Sequence, residues 1–363
     1  MIVPFLDLSL RNQKQKKEIL AAVNRVLTHG RIVLGPEVEE LEKKVASFCG
    51  LKYAVGVNSG TDALYFALRA LGIGRGDEVI TTCLSFVATA NAIAMTGARP
   101  IFADIREDFN IDPERIDKAV NSRTKAIVPV HFTGNLCDMI ALKSMARKYR
   151  LFLIEDAAQA FGANFQGRKA GSFGDAGALS MNPMKVFAAL GEAGMVVTND
   201  GKVAKTIKAL RYNGTFDRVN AHYVSLNGRL DTLQAAVLLV RLKYFKKFIE
   251  HRRLAAHYYS RHLQDVVETP KEENGFYHAY YTYNIRCEKR NHLKAFLERK
   301  GIETKIHHPI LMPQCRVYRG IGQGHWPVGE RIIHQSLCLP IHEHISKKEL
   351  DYVIKSIRQF YLN

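Results

Sequence analysis

Short apolar segments alternate with amphipathic segments through the first 200 residues of this chain, and this alternation limits the fold more than any other feature. The apolar segments are four to six residues long and rich in Val, Ile and Ala, which is typical of buried strands. The predicted strands are 53–57, 78–82, 100–103, 125–130, 151–154, 176–181 and 195–198. Strands that alternate with helices form a mostly parallel sheet covered on both faces. We therefore expect an α/β fold.

Helices are predicted between these strands from apolar residues at helical spacing. They span 11–29, 37–49, 89–96, 113–120 and 140–149, and a further helix follows residue 62 and ends at Leu71. In the first helix, Ile19, Leu20, Val23 and Val26 are expected to face inward. Past Asp200 the alternation stops, and a long helix over 232–263 leads to a strand at 280–286 and a helix at 292–300. We predict a large domain over 1–245 and a smaller C-terminal α+β domain over 246–363.

Composition is that of an ordinary soluble protein, with 47% hydrophobic and 24% charged residues. No apolar run approaches membrane-spanning length, and residues 1–7 do not resemble a signal peptide. The six cysteines are scattered without CxxC or zinc-ligand spacing. We expect a cytoplasmic protein with reduced thiols, no membrane association and no metal site.

The formal net charge of +17 raises the question of a nucleic-acid partner. The basic clusters at 143–150 and 243–253 lie at helical spacing among apolar residues, which indicates solvated helix faces. No helix-turn-helix, zinc-finger or RNA-binding motif accompanies them. Nucleic acid is therefore not the expected partner. Attraction of an anionic small substrate is the simpler explanation of the positive charge.

A carboxylate and a lysine occupy positions suited to one kind of chemistry. Glu155 and Asp156 follow the strand 151–154, and ligands of open α/β sheets lie beyond such strand ends. Lys185 comes 29 residues after Asp156 on a turn that Pro183 keeps out of strand and helix. The pair could be a salt bridge. Alternatively, the lysine bonds to the aldehyde of pyridoxal phosphate (PLP), and the aspartate protonates the pyridine nitrogen.

Three motifs in order favour the second interpretation. They are EDAAQAFG at 155–162, GDAGALSMNPMK at 174–185 and GEAG at 191–194. Together they resemble the DegT/DnrJ/EryC1/StrS sugar aminotransferases, which are fold-type-I PLP enzymes that aminate nucleotide-linked keto sugars. The resemblance covers essentially the whole chain. It implies a fold-type-I PLP transferase, L-glutamate as the amino donor and a homodimer.

The phosphate of the cofactor is predicted to lie at the start of the helix that follows strand 53–57. Ser59, Gly60 and Thr61 stand where free backbone N–H groups and the positive helix end attract an anion. These residue types are also ordinary N-caps, and taken alone they do not separate the two roles. They match the family's Ser-Gly-Thr-Asp-Ala-Leu segment, which favours the phosphate role.

The resemblance implies further contacts with the cofactor. Phe86 corresponds to an aromatic residue that stacks on the ring, Gln159 to the partner of the ring hydroxyl, and Ser180 to a phosphate donor. Asp156 is expected to hold the pyridine nitrogen. Lys185 is expected to be the Schiff-base lysine and, once released, the general base. His131 lies in a Pro-Val-His segment that also matches, but no catalytic role is assigned to it.

Residues of the later chain are implicated in binding the substrate and the second subunit. The LNGRLD segment at 226–231 resembles a family signature whose asparagine, here Asn227, binds the phosphate from the neighbouring subunit and makes the active site composite. Arg229 is a candidate for a substrate carboxylate or phosphate, with a surface salt bridge as the alternative. His307 is a candidate substrate ligand. His308 replaces an aromatic residue of the family pattern, and the Pro-Leu-His that usually follows is not recognisable.

The resemblance implies transfer of an amino group from L-glutamate to a keto group of a dTDP- or UDP-linked sugar. Family members that act at C3 commonly carry Ser-Phe-x-Pro-x-Lys, and this chain has Ser180-Met181-Asn182-Pro183-Met184-Lys185. C3 is therefore favoured over C4. Related dehydratases replace the lysine with histidine, which disfavours that activity. The remaining alternative is a non-catalytic regulator that binds nucleic acid through its basic surface.

Overall fold

The computed structural model describes residues 1–321 and 324–362. The strands are β1 (Tyr53–Val57), β2 (Glu78–Thr82), β3 (Arg99–Ala103), β4 (Thr124–Val128), β5 (Phe152–Asp156), β6 (Asn164–Phe165), β7 (Arg168–Lys169), β8 (Ala176–Ser180), β9 (Gly194–Thr198), β10 (Phe276–Tyr277), β11 (Tyr283–Arg286) and β12 (Ser336–Leu339). The helices are α1 (Gln13–His29), α2 (Pro36–Cys49), α3 (Gly60–Ala70), α4 (Ala88–Met95), α5 (Pro113–Ala119), α6 (Met139–Tyr149), α7 (Gly201–Leu210), α8 (Thr232–Leu263), α9 (Arg290–Arg299), α10 (Pro327–Gln335) and α11 (Lys347–Leu362). Every helix within the described ranges is too short or too polar to cross a membrane.

The central sheet has the strand order β1-β9-β8-β5-β4-β2-β3. Neighbours from β8 to β3 are parallel, whereas β9 is antiparallel to both β1 and β8. The predicted α/β fold with a mostly parallel sheet is confirmed. Because β1 and β8 both run opposite to β9, the carboxyl ends of β1, β2, β5 and β8 share one edge of the sheet. That edge carries the candidate site.

Helices cover both faces of the sheet. Val196 of β9 packs with α3 and α7, whereas its neighbours Met195 and Val197 pack with α2 and α8. Successive residues of a strand point to opposite faces, so two buried faces produce a continuous apolar run. Each fully buried Val or Met side chain of this kind contributes about 1.5–3 kcal/mol through removal of apolar surface from water.

The long helix α8 joins two packing units. Ala236, Val237 and Val240 near its start pack on α1, whereas Tyr259 and Leu263 near its end belong to a core with α9, α11, β11 and β12. The predicted domain boundary at 245/246 therefore falls inside a continuous helix. The N-terminal segment also joins the later core, since Val3 pairs with Ile302.

Two local expectations were wrong. Leu20 is 59% exposed, because the face of α1 that meets α8 carries Ile19, Ala22 and Val26 at helical spacing and leaves Leu20 to one side. The strand predicted from residue 280 begins at Tyr283. Tyr280 has a φ of 47°, a left-handed conformation that cannot continue an extended strand.

Candidate active site

Lys185 lies on a tight turn just beyond β8. Its backbone N–H donates to the carbonyl of Asn182 at 2.9 Å, and the Asn182 side-chain Oδ1 accepts from the N–H of Met184 at 3.0 Å. Pro183 fixes the backbone between them. The Lys185 side chain is half-buried, and its Nζ lies 4.4 Å from the centre of the Tyr281 ring, within the range of a cation–π contact.

Asp156 ends β5 as a buried carboxylate, 4% exposed. Thr89 Oγ1 donates to its Oδ2 at 2.7 Å, and the N–H of Ala158 donates to its Oδ1 at 3.1 Å. Burial raises the pKa of this carboxyl, while the Thr89 and Ala158 hydrogen bonds and the charge of Lys185 lower it. The acid and the lysine therefore lie close enough to interact electrostatically at the carboxyl edge of the sheet.

Gln159 lies one turn beyond Asp156 and is also buried. Its Oε1 accepts from the backbone N–H of Thr133 at 2.9 Å, which orients the amide. Thr133 has a φ of 60° in a short 3₁₀ turn, so the segment after β4 bends sharply to make this contact.

The predicted phosphate residues come from two elements that meet at the same edge. Ser59 is the N-cap of α3, and its Oγ accepts from the N–H of Asp62 at 3.0 Å, so the N-cap role is real. A Cβ on Gly60 would lie 2.6 Å from the Cβ of Ser180, which places Ser180 directly against the first turn of α3. Thr61 is half-buried in that turn.

A series of aromatic and imidazole rings in contact with one another begins at Tyr281, next to Lys185. The ring of His307 lies 5.7 Å from Tyr281, 5.9 Å from Phe132 and 4.1 Å from His308. Phe86 is 58% exposed, and its ring lies 5.8 Å from that of His308. Burial, with smaller contributions from the neighbouring His308, Lys185 and Lys305, lowers the pKa of His307 to about 2. This imidazole is therefore neutral at physiological pH.

Asn227 is exposed and Arg229 half-buried, on a segment that runs beside the start of α3, since the Gly228 carbonyl accepts from the Asn58 N–H at 2.9 Å and Arg229 pairs with Val57. Arg229 Nε donates to Asn227 Oδ1 at 2.7 Å, and the Arg229 guanidinium lies 4.7 Å from the Tyr212 ring. Within residues 1–321 and 324–362, no hydrogen bond or ion pair connects either side chain with Lys185, Asp156 or Ser180.

Sequence reasoning missed Thr89, Tyr281 and Phe132. Thr89 sits in the first turn of α4 and resembles any other helix-start threonine, while Tyr281 is one of several tyrosines in 277–283. Neither position carries a local signal, because each gains its role only through contacts with distant parts of the chain.

His131, to which no catalytic role was assigned, is fully buried in a hydrogen-bond network. Its Nδ1 accepts from the N–H of Cys137 at 3.1 Å, so its Nε2 carries the proton and donates to Glu155 Oε2 at 2.9 Å. The ring thus connects the segment after β4 with strand β5 near the site.

These residues fit PLP. A buried acid stands at one strand end for the pyridine nitrogen, a lysine lies within electrostatic reach of it, and a helix start with hydroxyls is suited to a phosphate. No cluster of three or more His, Cys, Asp and Glu side chains suited to a metal ion occurs in the part of the chain that the structure describes.

Comparison with known proteins agrees with this chemistry. The family model "DegT/DnrJ/EryC1/StrS aminotransferase family" matches residues 13–358. A dTDP-3-amino-3,6-dideoxy-alpha-D-galactopyranose transaminase of Aneurinibacillus thermoaerophilus is 38% identical over 99% of both chains. A protein of Geobacillus stearothermophilus named as a pleiotropic regulatory protein is 39% identical, again over 99% of both chains.

The fold agrees as well. The crystal structure of Streptomyces venezuelae DesV in complex with a ketimine intermediate superimposes with a TM-score of 0.97, at 37% identity, over 100% of this chain and 99% of that one. The match of family model, relatives and structure spans nearly the whole chain. This protein therefore belongs to the DegT/DnrJ/EryC1/StrS aminotransferase family and is a PLP-dependent aminotransferase.

Proposed function

We propose that this enzyme transfers the amino group of L-glutamate to a ketone of a dTDP- or UDP-linked sugar, with C3 as the position aminated. The observation that carries the proposal is the pairing of buried Asp156 with Lys185 at the carboxyl edge of the sheet. The Aneurinibacillus relative, whose name specifies a dTDP-linked 3-amino sugar, supports the substrate class and the position.

The roles of the residues follow from their surroundings. PLP, when bound, supplies an electron sink that stabilises negative charge on the carbon next to the amine. Asp156, fixed by Thr89 and Ala158, holds positive charge at the pyridine nitrogen. Lys185 anchors the cofactor and, once free, moves a proton at the reacting carbon. Tyr281 keeps the Lys185 amine near the site through its ring face.

The remaining contacts with the cofactor are proposed from their positions. Ser59, Gly60, Thr61 and Ser180 would bind the phosphate where α3 meets β8. Gln159 would bind the ring hydroxyl and Phe86 would stack on the ring. His307 and Arg229 are proposed substrate ligands.

The preference for C3 rests on the turn that carries the lysine. Pro183 restricts φ two positions before Lys185, whereas the glycine common in C4-acting members permits conformations that proline cannot adopt. The two turns therefore present the amine and the adjacent pocket wall differently. The experiment is amination of dTDP-linked 3-keto and 4-keto sugars under identical conditions, with the new amine located by NMR. Amination at C4 alone would refute the C3 assignment and leave the aminotransferase standing.

We also propose that the active site is completed by a second copy of the chain. Asn227 is exposed, and the loop before it presents Val219 and Val224 at 89% and 90% exposure. Two such exposed apolar side chains in one loop support its assignment to an interaction surface. Asn227 of the partner subunit would then reach the phosphate, as the family pattern implies.

The regulatory name of the Geobacillus relative favours a second candidate function, which is a regulator that binds nucleic acid through a basic surface. Duplex DNA retention should then fall steeply with salt at physiological ionic strength, since retention depends on counterion release. The retained Asp156 and Lys185 argue against a purely non-catalytic role. Transaminase turnover without DNA retention above background would exclude the regulator.

A further inference from the structure

His308 presents an unsatisfied polar atom in the wall of the active site. Its Nε2 is buried and has no hydrogen-bond partner among residues 1–321 and 324–362. The ring is held between other rings, at 5.8 Å from Phe86, 5.7 Å from Phe132 and 4.1 Å from His307. A buried polar group without a partner is costly to the folded protein, and at an active site a bound ligand can supply the missing partner.

The backbone of His308 is also strained. Its φ is 60°, in the left-handed region that a non-glycine residue rarely adopts, and Pro309 follows it. A residue before proline is normally extended, because the proline ring clashes with other conformations. Strain of this kind accumulates at ligand sites, where it aims a side chain in a direction that relaxed backbone would not provide.

The charge around His308 limits what its ring can bind. Burial and, as the smaller cause, the positive charge of Lys185 together lower its pKa to about 4. The ring is therefore neutral at physiological pH and cannot form an ion pair with a phosphate or carboxylate. A neutral imidazole offers one donor and one acceptor, and a hydroxyl can pair with either.

We propose that His308 is a specificity-determining residue that hydrogen-bonds a sugar hydroxyl on a carbon adjacent to the one aminated. The inference rests on the proposed function and names the substrate feature that this site selects. The position follows from the sequence of contacts, since the Tyr281 ring beneath Lys185 touches His307, and His307 touches His308. Lys185 also acts on His308 through its charge, so a substrate group that reaches His308 lies within electrostatic range of the lysine.

The experiment uses the holoenzyme in the reverse half-reaction, followed by the loss of its visible absorbance. Substrates are a dTDP-linked 3-amino-3,6-dideoxyhexose and two analogues that lack the C2 or the C4 hydroxyl. Variants are His308→Phe, which keeps a ring without polar atoms, and His308→Gln, which restores a polar group. His292→Phe, at an exposed position of α9, is the matched control.

Wild-type enzyme should prefer the complete sugar over one analogue by about tenfold or more in kcat/KM, the scale of one good hydrogen bond. His308→Phe should abolish this preference, His308→Gln should restore part of it, and the control should behave as wild type. The half-reaction with L-glutamate, which has no sugar hydroxyl, should change by less than about twofold in all variants.

An unchanged preference in His308→Phe, with normal glutamate kinetics, would overturn the assignment of His308 alone. Equal losses with glutamate and sugar would also overturn it, because His308 would then act on the cofactor or Lys185. Wild-type enzyme that reacts with glutamate but with none of these sugars or their UDP-linked counterparts would refute both the proposed function and this inference.

Discussion

Glu155 and Asp156 are consecutive residues of β5 and are both buried, but their carboxylates accept hydrogen bonds from entirely different donors. Glu155 accepts from His131 Nε2 at 2.9 Å and from the backbone N–H groups of Gly171, Phe173 and Gly174 at 2.8, 2.5 and 2.8 Å. Asp156 accepts from the Thr89 hydroxyl and the Ala158 N–H. Adjacent strand residues point to opposite faces, so one carboxylate secures a loop and the other retains acceptor capacity for a ligand.

Replacement of Asp156 by Asn should reduce turnover by about a hundredfold or more, because an amide cannot hold positive charge on the pyridine ring. Cofactor binding should decline far less, since the amide has nearly the shape of the carboxylate. Turnover and absorbance titration with PLP measure the two effects separately. Near-normal turnover would mean that a different acid holds the ring.

The same variant should be more stable than the wild type without cofactor. Burial raises the folded-state pKa of Asp156 above its ordinary value of 3.8, so as pH rises the unfolded chain loses the proton first and the folded state is disfavoured. The stability gap in favour of Asp156→Asn should therefore widen from about pH 4 to about pH 7. Urea unfolding of both apoproteins measures the gap. A gap that narrows with rising pH would contradict the assignment.

Glu155→Gln should have the opposite pattern, a large loss of stability with retained activity per folded molecule. The amide nitrogen would face N–H donors that the carboxylate now satisfies. We expect a decrease of about 3 kcal/mol in the free energy of unfolding. Glu40→Gln removes a carboxylate whose side chain is 53% exposed and should cost below about 1 kcal/mol. Similar losses in both variants would show that the loop does not depend on Glu155.

Lys185→Ala should abolish both turnover and the visible absorbance of the cofactor–lysine bond while the fold persists. Lys246→Ala, at a side chain 88% exposed on α8, should leave both unchanged. Turnover, absorbance spectra and thermal unfolding distinguish the effects. A Lys185→Ala variant that transaminates at the wild-type rate would refute the mechanism.

Gly60→Ala should weaken cofactor binding, because the new methyl group would lie 2.6 Å from the Cβ of Ser180 and push α3 away from β8. Overpacking of this kind costs about 1–3 kcal/mol, and the displaced helix start would no longer present its N–H groups to a phosphate. Gly74→Ala is the control, since its nearest contact would be 3.7 Å away. PLP titration of both variants tests the expectation. Equal affinities would place the phosphate elsewhere.

The composite site predicts complementation between two inactive variants. In a hybrid of Lys185→Ala and Asn227→Ala subunits, one site combines the two intact residues and the other combines both defects. Equal mixing with free exchange should restore about a quarter of wild-type activity, because half of the dimers are hybrids with one working site each. Efficient exchange without recovered activity would argue against a shared site.

The sequence alone determined the α/β architecture, and it predicted the roles of Asp156 and Lys185. The strands could be recognised in the sequence because buried strands need apolar side chains on both faces, which produces a short continuous apolar run. The motifs around Lys185 and Ser59 are likewise local, since a turn or a helix start depends on a few consecutive residues. These parts of the structure could be predicted without knowledge of contacts between residues far apart in the chain.

Tertiary structure alone decided which other side chains reach the site. Thr89 bonds to Asp156 across 67 positions of the chain, and the Tyr281 ring meets Lys185 from a segment beyond α8. The sharp backbone at Tyr280 and the left-handed His308 are equally invisible in the sequence. Such contacts depend on how helices and strands pack, and packing is set jointly by residues far apart in the chain, so no local pattern specifies it.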